Sequence, residues 1–76
     1  MSSKIANQLY EALYTTAQAE IVSAKATLNV YFTTPVGIGE HPQHIEEMNK
    51  LLETIAAAED RQAALVKHFP EYKASE

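Results

Sequence analysis

Apolar residues in the first half of the chain fall on a line whose steps alternate four and three: Tyr10, Tyr14, Ala17, Ile21, Ala24, Leu28 and Tyr31. That spacing keeps one stripe on one side of an α-helix, and it lets two helices interlock their side chains. A second line, Ile5, Leu9 and Leu13, widens the apolar face at the N-terminal end. Neither glycine nor proline interrupts residues 4–33. Ser2 or Ser3 suits the cap, where a hydroxyl accepts a backbone N–H that the helix start leaves over. The pattern predicts a helix over about residues 3–33. Leu28–Thr33 is also rich in strand formers, but the heptad runs through it unbroken and helix is the reading taken.

Pro35 stops that helix, since the residue before a proline is pushed out of helical dihedrals. Residues 34–41 read as a loop, and both glycines of the protein, Gly37 and Gly39, fall in it. Pro42 suits the first turn of a new helix, where its missing N–H is not needed. Glu46 and Glu47 are expected in that turn, at the positive end of the helix dipole. Met48, Leu51, Ile55, Ala58, Gln62, Leu65 and Phe69 repeat the alternation, flanked by Ile45, Leu52 and Val66. A second helix is therefore expected over about residues 42–69, closed by Pro70, with a frayed tail over 70–76. The fold class is all-α: one antiparallel helical hairpin spanning residues 1–76, with arms of about 45 and 40 Å at roughly 1.5 Å per residue.

One hairpin cannot hide both stripes and their flanking lines. At 76 residues and 46% hydrophobic composition, the core of a lone chain roughly balances the entropy of ordering it. No cysteine is present, which removes disulfides and thiolate metal sites as staples. The expectation is a homo-oligomeric helical bundle, either a dimer forming four helices or a tetramer of two such dimers. Tyr10, Tyr14, Ala17, Ile21, Leu28, Met48, Leu51, Ile55 and Leu65 are the contact residues expected between copies. Gln62, polar within the second stripe, would help to fix register. Tyrosine hydroxyls need partners when buried, so Tyr10, Tyr14 and Tyr31 read as a partly wet interface or as ligand contacts.

The net charge is −4, with Lys4, Lys25, Lys50, Arg61, Lys67 and Lys73 scattered singly. A protein that neutralises duplex phosphates carries a basic stripe, so binding to duplex nucleic acid is not expected. No apolar run approaches the roughly 18 residues of a membrane span. Residues 1–4 lead into no signal-peptide core. A soluble, intracellular protein is expected, with no membrane partner and no cofactor.

Glu40, His41 and His44 are metal-ligand types at close spacing. A structural zinc site needs four ligands, and the competing reading makes His41 a helix cap and His44 a solvated residue. No metal is assigned. Catalysis finds no thiol and no nucleophile turn. Glu46-Glu47 and Glu59-Asp60 diverge by about 100° on a helix and read as solvated faces. No catalytic residue is assigned and no enzyme is expected. Lys25 and Arg61 lie mid-helix, where an ion pair with Glu20, Glu53 or Glu59 is the plainer outcome. The loop carries more. Gly37-Ile38-Gly39 can expose successive amides beside a helix start, which suits an anion, and Tyr31 and Phe32 lie just before it. A plain tight turn, with Val36 and Ile38 plugging the end of the bundle, is the alternative.

Val30-Tyr31-Phe32, the loop Pro35-Val36-Gly37-Ile38-Gly39-Glu40-His41-Pro42, the amphipathic stretch Ile45–Ala58 and then Glu59-Asp60 resemble a family of short helical-hairpin proteins of T-even-like tailed phages. The likeness covers most of residues 10–69, and its specific part is the loop. It implies kinship with phage anti-CBASS sponges, small oligomers that sequester cyclic dinucleotide signals and blunt bacterial immunity. On that likeness Tyr31 or Phe32 would stack a base, Gly37, Ile38 and Gly39 would offer amides to phosphate, Glu40 would accept from a base or ribose, and His41 or His44 would donate to phosphate. The alternative function is a structural or protein-interaction module, or an accessory factor of phage DNA repair, with no small-molecule ligand.

Overall fold

The structure, a computed structural model, describes residues 4–34 and 42–72. Two long helices, α1 over Lys4–Thr33 and α2 over Pro42–His68, are followed by a short 3-10 turn over Pro70–Tyr72. No strand occurs among the described residues. Leu28–Thr33 is helical, and the threonine hydroxyls of α1 bond back within the helix. The hydroxyls of Thr27 and Thr33 donate to the carbonyls of Ser23 and Asn29 at 3.1 and 2.8 Å. Thr15 and Thr16 donate likewise to Glu11 and Ala12 at 2.8 and 2.6 Å. Each hydroxyl finds its acceptor within the helix and does not pull the backbone out of it.

The helices lie antiparallel in a rod of 58 × 18 × 14 Å. Side-chain bonds between them fix the register. At the free end, Gln62 Nε2 donates to the Tyr14 carbonyl at 3.3 Å and to Gln18 Oε1 at 2.9 Å. Next, Arg61 Nη2 meets Glu20 Oε1 at 2.8 Å. Towards the loop, the Tyr31 hydroxyl donates to Glu47 Oε1. The polar residue in the second stripe therefore does hold one helix against the other. The Arg61–Glu20 pair, half-exposed on both sides, is worth under about 1 kcal/mol.

The stripes meet each other inside one chain. Tyr10, Ala17, Ala24, Leu28 and Ala58 are buried, and Tyr14, Ile21, Met48, Leu51, Ile55 and Leu65 are half-buried beside them. Among the described residues, three of the five that are buried are alanines, with Ala17 and Ala58 at 0% exposure, so the backbones approach closely. Tyr10, Ala17 and Leu28, expected at contacts between copies, are thus committed to the seam between the two helices of a single hairpin. The flanking lines stay open: Leu9, Leu13, Ile45, Leu52 and Val66 are each more than half exposed. Among the described residues no helix is long and apolar enough to cross a membrane.

Two local expectations are corrected. The first turn of α2 holds no acidic residue, because the helix begins at Pro42 and Glu46 and Glu47 fall in its second turn. Residues 70–72 are also not frayed. Phe69 N donates to the Leu65 carbonyl at 2.9 Å and Tyr72 N to the Phe69 carbonyl at 3.1 Å. Pro70 ends the α-helix by lacking an N–H, but a 3-10 turn needs only the tighter bond that Tyr72 supplies. The turn brings Tyr72, half-buried, against Ala6, Leu9 and Tyr10 of α1. Ser2, Ser3, most of the loop and residues 73–76 lie outside the described residues.

Candidate functional site

One long groove runs along a face of the hairpin. Leu9, Leu13, Thr16, Glu20, Ser23 and Thr27 recur on α1 at steps of four and three, and Glu47, Lys50, Thr54 and Arg61 share the matching side of α2. Two connected hollows occupy the free end, of about 300 and 240 Å³, with Leu13, Leu65 and Phe69 common to both. Two more lie towards the loop, of about 500 and 240 Å³, sharing Leu51 and Thr54. Arg61 lines the free-end part and Glu20 the other. The ion pair therefore spans the groove where its apolar half gives way to a half lined by Thr16, Ser23, Thr27 and Thr54.

The hollow nearest the loop is the most polar in chemistry, lined by Thr27, Tyr31, Glu47, Lys50, Leu51 and Thr54. Two hydroxyls, a phenol, a carboxylate and an ammonium converge there. Tyr31 is half-buried and stands edge-on to His44, with ring centroids 5.4 Å apart and planes at 89°. Its hydrogen bond to Glu47, then desolvation and the nearby carboxylate charge, raise its pKa above the ordinary 10.0. The phenol is the form that donates to Glu47, so ionising it breaks the bond and sets two negative charges together. The folded value lies above the unfolded one. The stabilisation is therefore complete below the unfolded value near 10 and disappears as pH rises through the folded one. Tyr31 is expected to ionise above the ordinary value of 10.0, with a loss of helicity above that pH that Tyr31→Phe does not show. Tyrosinate absorbance and circular dichroism check both.

Of the sequence-predicted site, Tyr31 and His44 come together, and Phe32 does not. Phe32 is 71% exposed and turned off the Tyr31 face by one helical step. Gly37, Ile38, Gly39, Glu40 and His41 lie outside the described residues, so the loop amides and the Glu40–His41–His44 set carry no geometry. Among the described residues no group of three or more His, Asp or Glu side chains is placed to hold a metal ion. Glu47, read from sequence as part of a solvated face, is instead the acceptor for Tyr31. Thr27 and Thr54 also went unread. The pairing of flank positions across an antiparallel hairpin was the signal that could have found all three.

At the other end, the Tyr10 hydroxyl is buried without a hydrogen-bond partner among the described residues, while its ring stacks on Tyr14 at 6.5 Å. An unmet buried hydroxyl is destabilising. Tyr10→Phe is expected to raise stability by about 1 kcal/mol in urea unfolding; a loss of that size would mean the hydroxyl does bond.

The chain matches no family model, and no curated protein or solved structure is significantly similar to it.

Proposed function

We propose that this protein is a phage-encoded, non-catalytic sponge that works as a homo-oligomer in the host cytoplasm, binding cyclic oligonucleotide immune signals and so inhibiting CBASS defence. The observation that carries the reading is the hollow beside the loop. There the Lys50 ammonium and the Thr27 and Thr54 hydroxyls converge next to Tyr31, and the segment that follows α1 holds both glycines. Ammonium and hydroxyl donors suit phosphodiester and ribose oxygens, an aromatic ring suits a base, and Glu47 suits an amino group. The hollow's volume of about 240 Å³ falls below the roughly 300–1,000 Å³ that usually encloses such ligands. A ligand of that size is therefore held only in part by this hollow and protrudes from it. Sequestration asks for affinity and no reacting group.

Calorimetric titration with a panel of cyclic di- and trinucleotides tests the reading. Binding of at least one is expected, weakened tenfold or more by Lys50→Ala, Tyr31→Ala or Gly39→Val. Absence of heat with every member overturns it. A second reading, a protein-interaction module or repair accessory factor with no small ligand, is favoured by the ten large apolar side chains exposed among the described residues. It gains if the panel is silent.

A further inference from the structure

α2 carries two seams, and α1 covers one of them. Beside the buried set runs another, Ile45, Asn49, Leu52, Ala56, Glu59, Ala63 and Val66, whose steps alternate four and three in the same way. It lies about 100° round the helix from the first, on the side away from the groove. Each of its members is exposed, including Ile45 at 65%, Leu52 at 53% and Val66 at 54%. Glu59 is its one charged residue. Two adjacent heptad seams are what a helix needs to touch two neighbouring helices in a bundle, and the hairpin provides a neighbour for only one.

Three observations identify the occupant. The molecule exposes 5829 Å², against about 4,600 Å² for a compact monomer of its mass. That excess of about 1,200 Å² surpasses the roughly 800 Å² that each partner buries in a standard interface. The radius of gyration, 16.6 Å, likewise stands well above the roughly 11 Å of a compact chain of this length. The seam also suits its own copy in one direction only. Two α2 helices set antiparallel about a two-fold axis between Ile55 and Ala56 bring Ile45 level with the other copy's Val66 and Leu52 level with its Glu59, keeping the two Glu59 carboxylates apart. A parallel pair would set Glu59 against Glu59. Finally, the loop half of the opposite face is lined by the hydroxyls of Thr16, Ser23 and Thr54 and bounded by the Arg61–Glu20 pair.

We infer that a second copy of this chain docks on the Ile45–Val66 seam, α2 against α2 and antiparallel, leaving the groove and its loop-end hollow open. The inference rests on the homo-oligomeric part of the proposed function and says which surface makes the contact.

The chain has no cysteine, so single thiols can be introduced as footprints with little disturbance. Leu52→Cys, Val66→Cys, Leu9→Cys and Leu13→Cys are labelled with a thiol reagent at protein concentrations above and below the dissociation midpoint found by sedimentation. Labelling at positions 52 and 66 is expected to slow more than tenfold in the assembled protein, with under twofold change at 9 and 13. Leu52→Lys is expected to weaken association a hundredfold or more while helicity persists, and Leu13→Lys to leave it within threefold. Protection at 9 and 13 without protection at 52 and 66 overturns the seam and leaves the homo-oligomer standing. A wild-type chain that stays monomeric at every concentration overturns both.

Discussion

Truncating Leu28 to alanine is expected to cost about 2–5 kcal/mol of folding stability, the range for emptying a buried leucine site. Leu28 is 5% exposed and is the one large aliphatic side chain in a buried set otherwise made of Tyr10 and three alanines. An alanine-rich seam has few long side chains able to lean in and refill the space. A chain this short has about 4–11 kcal/mol in total, at roughly 0.05–0.15 kcal/mol per residue. The variant therefore stands near the threshold of folding. Urea denaturation followed by circular dichroism measures the loss. It must be run at one fixed protein concentration, because any association adds stability by mass action. Val22→Ala, at a position 56% exposed, is the control and should stay within about 0.5 kcal/mol. A cost below about 1 kcal/mol for Leu28→Ala would mean that the site collapses, or that the seam is not packed there.

The contrast between those positions shows what the pattern of residues can disclose. The alternating steps of four and three placed Tyr10, Ala17 and Leu28 on one stripe of α1, and Ala58 and Leu65 on one stripe of α2. Both helices, their ends near Pro35 and Pro42, and the bonding role of Gln62 were legible for that reason. Periodicity reports an angle round a helix, however, and not the identity of what meets it. On that pattern the stripes are expected to face another copy, yet the structure buries Tyr10, Ala17 and Leu28 within a single hairpin. The Tyr31–Glu47 bond needs the register of α1 on α2 to within a turn, which interhelical contacts such as Gln62 with Gln18 determine together. The turn at Pro70–Tyr72 was missed for a different reason. Proline ends an α-helix reliably, but whether the chain beyond it frays or folds back depends on a distant surface, here Ala6, Leu9 and Tyr10.

Enlarging Ala17 to leucine is expected to destabilise the hairpin by about 1–3 kcal/mol, the usual cost of forcing extra carbons into a packed seam. The two residues differ little in helix propensity, so the effect isolates the distance between helices. Ala17 and Ala58 both have 0% exposure. Where such small residues face a neighbour, the axes come to the short end of the roughly 8–10 Å range. A leucine at position 17 must push α2 outward or leave its preferred rotamer. Outward movement also strains the bonds from Gln62 to the Tyr14 carbonyl and Gln18, and it alters the packing of Tyr10 on Tyr14. Near-ultraviolet circular dichroism of the tyrosines should therefore change along with the urea midpoint. Ala26→Leu, on the exposed outer face of α1, should change neither by more than about 0.5 kcal/mol. If Ala17→Leu instead stabilised the protein, the seam would contain unfilled space, and the close approach of the two helices would be the wrong account of why alanine occupies its centre.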